Sequence, residues 1–121
     1  MSGVNAKDLQ MRRFFEETMG MEILHASFAR GTLTFTMRNH ETGLLFRYEQ
    51  NPDTSISIKF GDVTRRIPGK AEIENVLGHE PTDLEVCRLV QNVILRMIED
   101  EQDETRKDVA ASFDRYSRRG H

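Results

Sequence analysis

The chain has 121 residues, of which 37% are hydrophobic and 31% charged, and its formal net charge is −3. A chain of this length is typical of one ordinary domain with a single hydrophobic core, so we expect residues 1–121 to form one α+β domain. The small negative net charge gives no whole-molecule attraction to nucleic acid or to an anionic membrane.

Membrane and disulfide signals are missing from the sequence. There is no run of about 20 apolar residues, which is the length that spans a bilayer, and the first residues lack an apolar signal core. The chain has one cysteine, which cannot form an internal disulfide. We therefore expect a cytoplasmic protein that does not contact a membrane.

The first predicted element is a helix over residues 5–19. Asn5 followed by Asp8 is a typical helix start, and Gly20 is well placed to end the helix in a left-handed conformation. At helical spacing the face that we expect to be buried comprises Met11, Phe14, Phe15, Thr18 and Met19.

From Met21 onward the apolar residues follow a period of two, which indicates antiparallel strands over residues 21–67. The first strand has two possible inner sides, because both of its alternating sets contain apolar residues. These sets are Glu22, Leu24, Ala26 and Phe28, or Met21, Ile23 and His25. In the later strands the expected inner residues are Leu33, Phe35, Met37, Leu44, Phe46, Tyr48, Ile56, Ile58 and Phe60. We expect a meander of four or five strands with one apolar and one polar face.

Helices are predicted after the sheet. A short helix over 70–78 carries Ile73, Val76 and Leu77, and a long amphipathic helix over 82–103 begins with a capping box formed by Thr82 and Glu85. Residues 105–117 either continue the long helix or form a separate one, and 118–121 are expected to fray. The predicted fold class is α+β, with one face of the meander covered by the N-terminal helix and the C-terminal helices.

Residue types that carry chemistry are not grouped in recognisable patterns. His40 and His79 each precede a glutamate in a predicted turn, without a further ligand at metal-binding spacing. Cys87 falls on the buried face of the long helix, where a thiol is a poor nucleophile. We therefore expect no catalytic residue, no metal and no cofactor. A small enzyme with a site that the sequence does not reveal is the second alternative.

The leading functional hypothesis is a non-catalytic module that binds another protein, of the adaptor, chaperone, inhibitor or immunity type. We also expect the chain to form a homodimer. The hypothesis depends on apolar residues that fall outside the core face and on an acidic run, Glu99–Glu104, next to them. The candidate partner-binding residues are Leu84, Leu95, Glu101, Glu104, Val109, Phe113 and Tyr116.

The first alternative is a nucleic-acid-associated protein. Basic residues on the polar face of the sheet and in paired arginines are able to meet phosphates. The candidates are Arg38, Arg47, Lys59, Arg65 and Arg66. Against this hypothesis, the aromatic residues of the strands alternate onto the apolar face, whereas single-strand binders stack bases on exposed aromatics.

Overall fold

The computed structural model describes the backbone of residues 6–119 and the side chains of residues 9–113. The predicted helix start at Asn5 and the tail residues 120–121 lie outside the described residues. The elements, in chain order, are α1 (Ala6–Arg13), a π-helical turn (Phe14–Thr18), β1 (Met21–Ala29), β2 (Thr32–Asn39), β3 (Leu45–Gln50), β4 (Ile56–Phe60), β5 (Val63–Ile67), α2 (Lys70–Leu77) and α3 (Asp83–Arg119).

The five strands form one antiparallel sheet in the order β1-β2-β3-β4-β5, which confirms the predicted meander and the α+β class. The chain divides into two compact units, residues 1–91 and 92–121, and α3 contributes to both. Among the described residues, no helix is long and apolar enough to cross a membrane.

The N-terminal helix changes its hydrogen bonding before it ends. The amide of Met19 donates to the carbonyl of Phe14 at 3.3 Å, five residues back, rather than to a carbonyl four residues back. This wider turn shifts the phase of the apolar face. Phe15 is completely buried and Phe14 partly so, whereas Thr18, which we expected on the buried face, is exposed.

A bulge in β1 resolves the ambiguity of the first strand. Leu24 is an extra residue in the pairing with β2. Before the bulge, Met21 and Ile23 pair with residues of the buried side of β2. After it, Ala26 and Phe28 do so. Each of the two predicted patterns therefore holds for one half of the strand, because a bulge reverses the alternation.

The core of the first unit lies on the apolar face of the sheet. The Phe15 ring packs at 6.0 Å from the Phe35 ring and 5.1 Å from the Tyr48 ring. Cys87 of α3 lies beside Met11 of α1, with 3.9 Å between the sulfur atoms. The buried sheet residues are Leu33, Phe35, Met37, Phe46, Tyr48, Ile56, Ile58 and Ile67.

The loop from β3 to β4 holds the beginning of α2. The hydroxyl of Thr54 accepts a hydrogen bond from the Lys70 amide at 2.7 Å. Gly69 approaches the loop so closely that a Cβ there would lie 2.5 Å from the Asp53 carbonyl oxygen. In α2 itself Ile73 is buried, but Val76 is 85% exposed and does not cover the sheet as we expected.

The long helix α3 begins with the predicted capping box. The Glu85 amide donates to the Thr82 hydroxyl at 3.1 Å, and the Thr82 amide donates to the Glu85 carboxylate at 2.9 Å. The backbone is then helical without a break to Arg119. Residues 105–117 thus continue the long helix, and residues 118 and 119 also belong to it.

Candidate docking surface on the C-terminal helix

The second unit carries an apolar stripe on α3 that differs from its buried side. With about 100° of rotation per residue, the residues of this stripe fall within an arc of roughly 60°. We define the C-terminal stripe as the apolar residues Leu95, Ile98, Val109 and Phe113 together with the polar Gln102, which interrupts them. Ile94 and Met97, which are buried, lie outside this arc.

Exposure increases along the helix toward its C-terminus. Ile98 and Glu101 are half-buried, and every described side chain from Gln102 to Phe113 is exposed. Val109 is 56% exposed and Phe113 is 70% exposed. A helix stretch without neighbours gains no packing energy, so two large apolar side chains on one side of it form a surface suited to binding.

Charges around the stripe are segregated along the sequence. The run Glu99–Glu104 contains five carboxylates and no base, and Arg106 and Lys107 follow it after Thr105. Among the described side chains of residues 99–113, no ion pair within 4.0 Å links these groups. The charges are therefore available to a partner.

The other predicted partner-binding residues of α3 are not part of the C-terminal stripe. Glu101 is one turn from Thr105, whose hydroxyl donates to the Glu101 carbonyl at 3.0 Å. At 100° per residue, Glu104 falls on the side of α3 away from Val109. The side chain of Tyr116 lies outside the described residues.

Leu84 belongs to the first unit and is 62% exposed. It lines a groove of about 340 Å³ together with residues of α1 and the π-helical turn. Among the other lining residues are Arg13, Phe14 and Arg88. The lining of the groove combines apolar side chains with two arginines and the carboxylate of Glu17.

On the polar face of the sheet, the basic side chains form ion pairs with acidic side chains of the same face. Glu49 accepts from both Arg47, at 3.0 Å, and Lys59, at 3.2 Å. Arg38 forms an ion pair with Glu22 at 2.6 Å. These pairs compensate most of the positive charge that a phosphate backbone needs.

The last two nucleic-acid candidates, Arg65 and Arg66, lie on opposite faces of the sheet. Arg66 pairs with Ser57 and lies 3.9 Å from the carboxylate of Asp53. Arg65 pairs with Ile58 and so faces the opposite side of the sheet from Arg38, Arg47 and Lys59. The five predicted residues therefore do not form one surface.

A small pocket in the first unit was not predicted. It has a volume of about 30 Å³, which suits one water molecule rather than a substrate. Tyr48 lies in it, and its hydroxyl donates to the Gln50 side chain at 3.1 Å. The sequence signal is the spacing of these two residues, since positions two apart on a strand share a face. The other lining residues are Gln10, Met11, Lys70, Asp83, Val86 and Cys87.

Burial determines the chemistry of this pocket. It raises the pKa of the Tyr48 hydroxyl well above its ordinary value. Burial also raises the pKa of the Cys87 thiol, and the neighbouring Asp83 carboxylate adds to the effect. Both groups are therefore protonated at neutral pH, and neither is an active base or nucleophile.

Metal-binding geometry is not found among the described residues, where no three His, Cys, Asp or Glu side chains are grouped as ligands. Comparisons with protein-family models, with curated proteins and with solved structures found no match for this chain.

Proposed function

We propose that this chain is a protein-binding module that docks through the C-terminal stripe of α3. The observation that carries the proposal is the exposure of Val109 and Phe113 on a helix whose described side chains beyond Glu101 are all exposed. Burying such side chains contributes roughly 1.5–3 kcal/mol each, which is enough to anchor a partner helix.

Charge supports docking to a protein rather than to a lipid surface. The stripe is bordered by the acidic run Glu99–Glu104, which repels anionic lipid headgroups. A protein partner meets an apolar stripe and an acidic border together, which is the usual anatomy of an interface. The module belongs to the class of small adaptors, chaperones, inhibitors or immunity proteins.

A photo-reactive benzoylphenylalanine at position 113 tests this function, because it keeps an aromatic ring in the stripe. We expect irradiation in cell extract to give a covalent adduct between the chain and a protein. Val109→Ser, in the same stripe, should reduce the yield severalfold by removing apolar contact. Lys107→Ser, on the opposite side of α3, is the matched control. Equal yields from both variants, or no adduct at all, would overturn the proposal.

A further inference from the structure

We propose that the partner of the C-terminal stripe is the same stripe of a second copy of the chain, packed antiparallel about a centre near Glu104. This pairing rests on the proposed function, because it identifies the occupant of the same docking surface. The occupant follows from two features of α3, its apolar positions and its charges, which give the same centre independently.

The apolar positions give the first centre. In an antiparallel helix pair, two positions face each other when they are equally distant from the centre. Leu95 and Phe113, which lie at the same angle around the helix, are symmetric about Glu104. The exposed side chains of Leu95 and Phe113 at the two ends of the stripe are therefore set against each other, and Val109 lies opposite Glu99 of the second copy.

The charges give the same centre. The middle of the acidic run Glu99–Glu104 and the middle of the basic pair Arg106–Lys107 are also symmetric about Glu104. The antiparallel arrangement thus sets Arg106, the base that borders the stripe, against acids of the other copy, whereas Lys107 points away from the contact. In a parallel pair the two acidic runs would face each other, with five carboxylates on each helix, and repel.

One flank of the stripe provides a specific contact. Glu99, Asp103 and Arg106 lie on the same side of the stripe at 100° per residue, and this flank meets its counterpart in an antiparallel pair. Arg106 of each copy is then placed between Glu99 and Asp103 of the other. Glu104 points away from the contact, so the two Glu104 residues do not oppose each other.

Cysteine cross-linking tests the pairing without altering the stripe. In the proposed register, Glu99→Cys of one copy lies near Ala110→Cys of the other. Two copies of either single variant place their new thiols about 15 and 18 Å apart, respectively, beyond disulfide reach. We expect a disulfide-linked dimer when the two variants are mixed under mild oxidation, and none from either alone.

Two controls accompany this mixture. The unaltered chain reports on Cys87, which is buried and should not cross-link. Lys107→Cys, on the side of the helix away from the stripe, replaces Ala110→Cys and should give no product with Glu99→Cys. Sedimentation of the unaltered chain should also show an apparent mass that rises with concentration above the 14.0 kDa of one chain. Phe113→Asp should weaken this association about tenfold or more.

The outcomes separate the pairing from the proposed function. Strong self-linking of Ala110→Cys, or no cross-link in any mixture together with a monomeric mass, would overturn the antiparallel second copy. If the photo-reactive variant at position 113 then captures a different protein, the docking function stands with another occupant. If it captures nothing, both fail.

Discussion

Arg30 has a φ angle of +55°, a conformation that costs a residue with a side chain roughly 1–2 kcal/mol. It occupies the first position of the two-residue turn between β1 and β2, and Gly31 at the second position has φ +80°. Turns with two positive φ angles favour the sequence Asn-Gly, because asparagine tolerates this region better than arginine does. The sequence therefore includes a turn residue that is not optimal for the fold.

We predict that Arg30→Asn stabilises the protein by about 0.5–1 kcal/mol, measured by urea unfolding. The matched variant Gly31→Ala should destabilise it by about 1–2 kcal/mol. The reason is twofold, since φ is positive there and a Cβ would lie 2.9 Å from the Pro52 ring. A loss of stability in Arg30→Asn would show that the arginine side chain makes a favourable contact that outweighs the turn geometry.

The sequence predicted the later strands because apolar residues that face inward alternate along each strand with polar residues that face outward. The spacing of Tyr48 and Gln50 also shows that both face inward, yet the hydrogen bond between them depends on rotamers that no spacing specifies. The left-handed conformation of Thr54, with φ +68°, was not predictable either. A β-branched residue rarely adopts this conformation. Here it places the Thr54 hydroxyl where it accepts a hydrogen bond from the Lys70 amide.

At the scale of elements, two of the departures from the prediction are insertions. The π-helical turn adds a residue to a helical turn at Phe14–Thr18, and the bulge adds Leu24 to β1. Both segments contain apolar residues on two sides. The periodicity of the apolar residues therefore does not show at which residue the insertion occurs. The position of the extra residue depends on what each segment packs against. For the bulge this is β2, and for the π-helical turn it is the aromatic core around Phe15.

The capping box of α3 yields a prediction at this scale. Thr82→Ala removes the acceptor for the Glu85 amide and should lower the free energy of unfolding by about 1 kcal/mol, measured by chemical denaturation. Thr82→Ser, which keeps the hydroxyl, is the control and should stay close to the original stability. Equal losses in both variants would mean that the methyl group, not the cap, matters.

The same cap predicts a pH dependence. The hydrogen bond from the Thr82 amide lowers the pKa of the Glu85 carboxyl. A lowered pKa in the folded state stabilises the protein above the pKa of the unfolded state, and this contribution disappears as the pH falls through the folded value. The stability advantage over Glu85→Gln should therefore shrink between about pH 7 and pH 3. An advantage that stays constant with pH would contradict this assignment.

At the scale of the whole molecule, folding and docking should depend on different residues. We predict that Phe113→Ala combined with Tyr116→Ala leaves the midpoint of thermal unfolding almost unchanged, because Phe113 is 70% exposed. The same variant should lower the apparent mass in solution or the binding of a partner. Phe46→Ala is the contrasting variant, since its side chain is buried and its loss should cost about 3–5 kcal/mol.

Calorimetry and sedimentation together check this separation. Early melting of the double variant at unchanged mass would assign these two aromatic residues to the folded core instead of the interface. Added salt gives an independent comparison, because the proposed antiparallel pair opposes acidic and basic groups near the surface. Its association should weaken as the Debye length falls below about 10 Å.

The close fit between the β3–β4 loop and the start of α2 has a consequence for the order of folding. An eight-residue helix is too short to persist by itself, and the hydroxyl that holds its first amide comes from Thr54, sixteen residues earlier in the chain. We therefore expect the hairpin of β3 and β4 to form before α2. Removing the Thr54 hydroxyl should then speed unfolding more than it slows refolding.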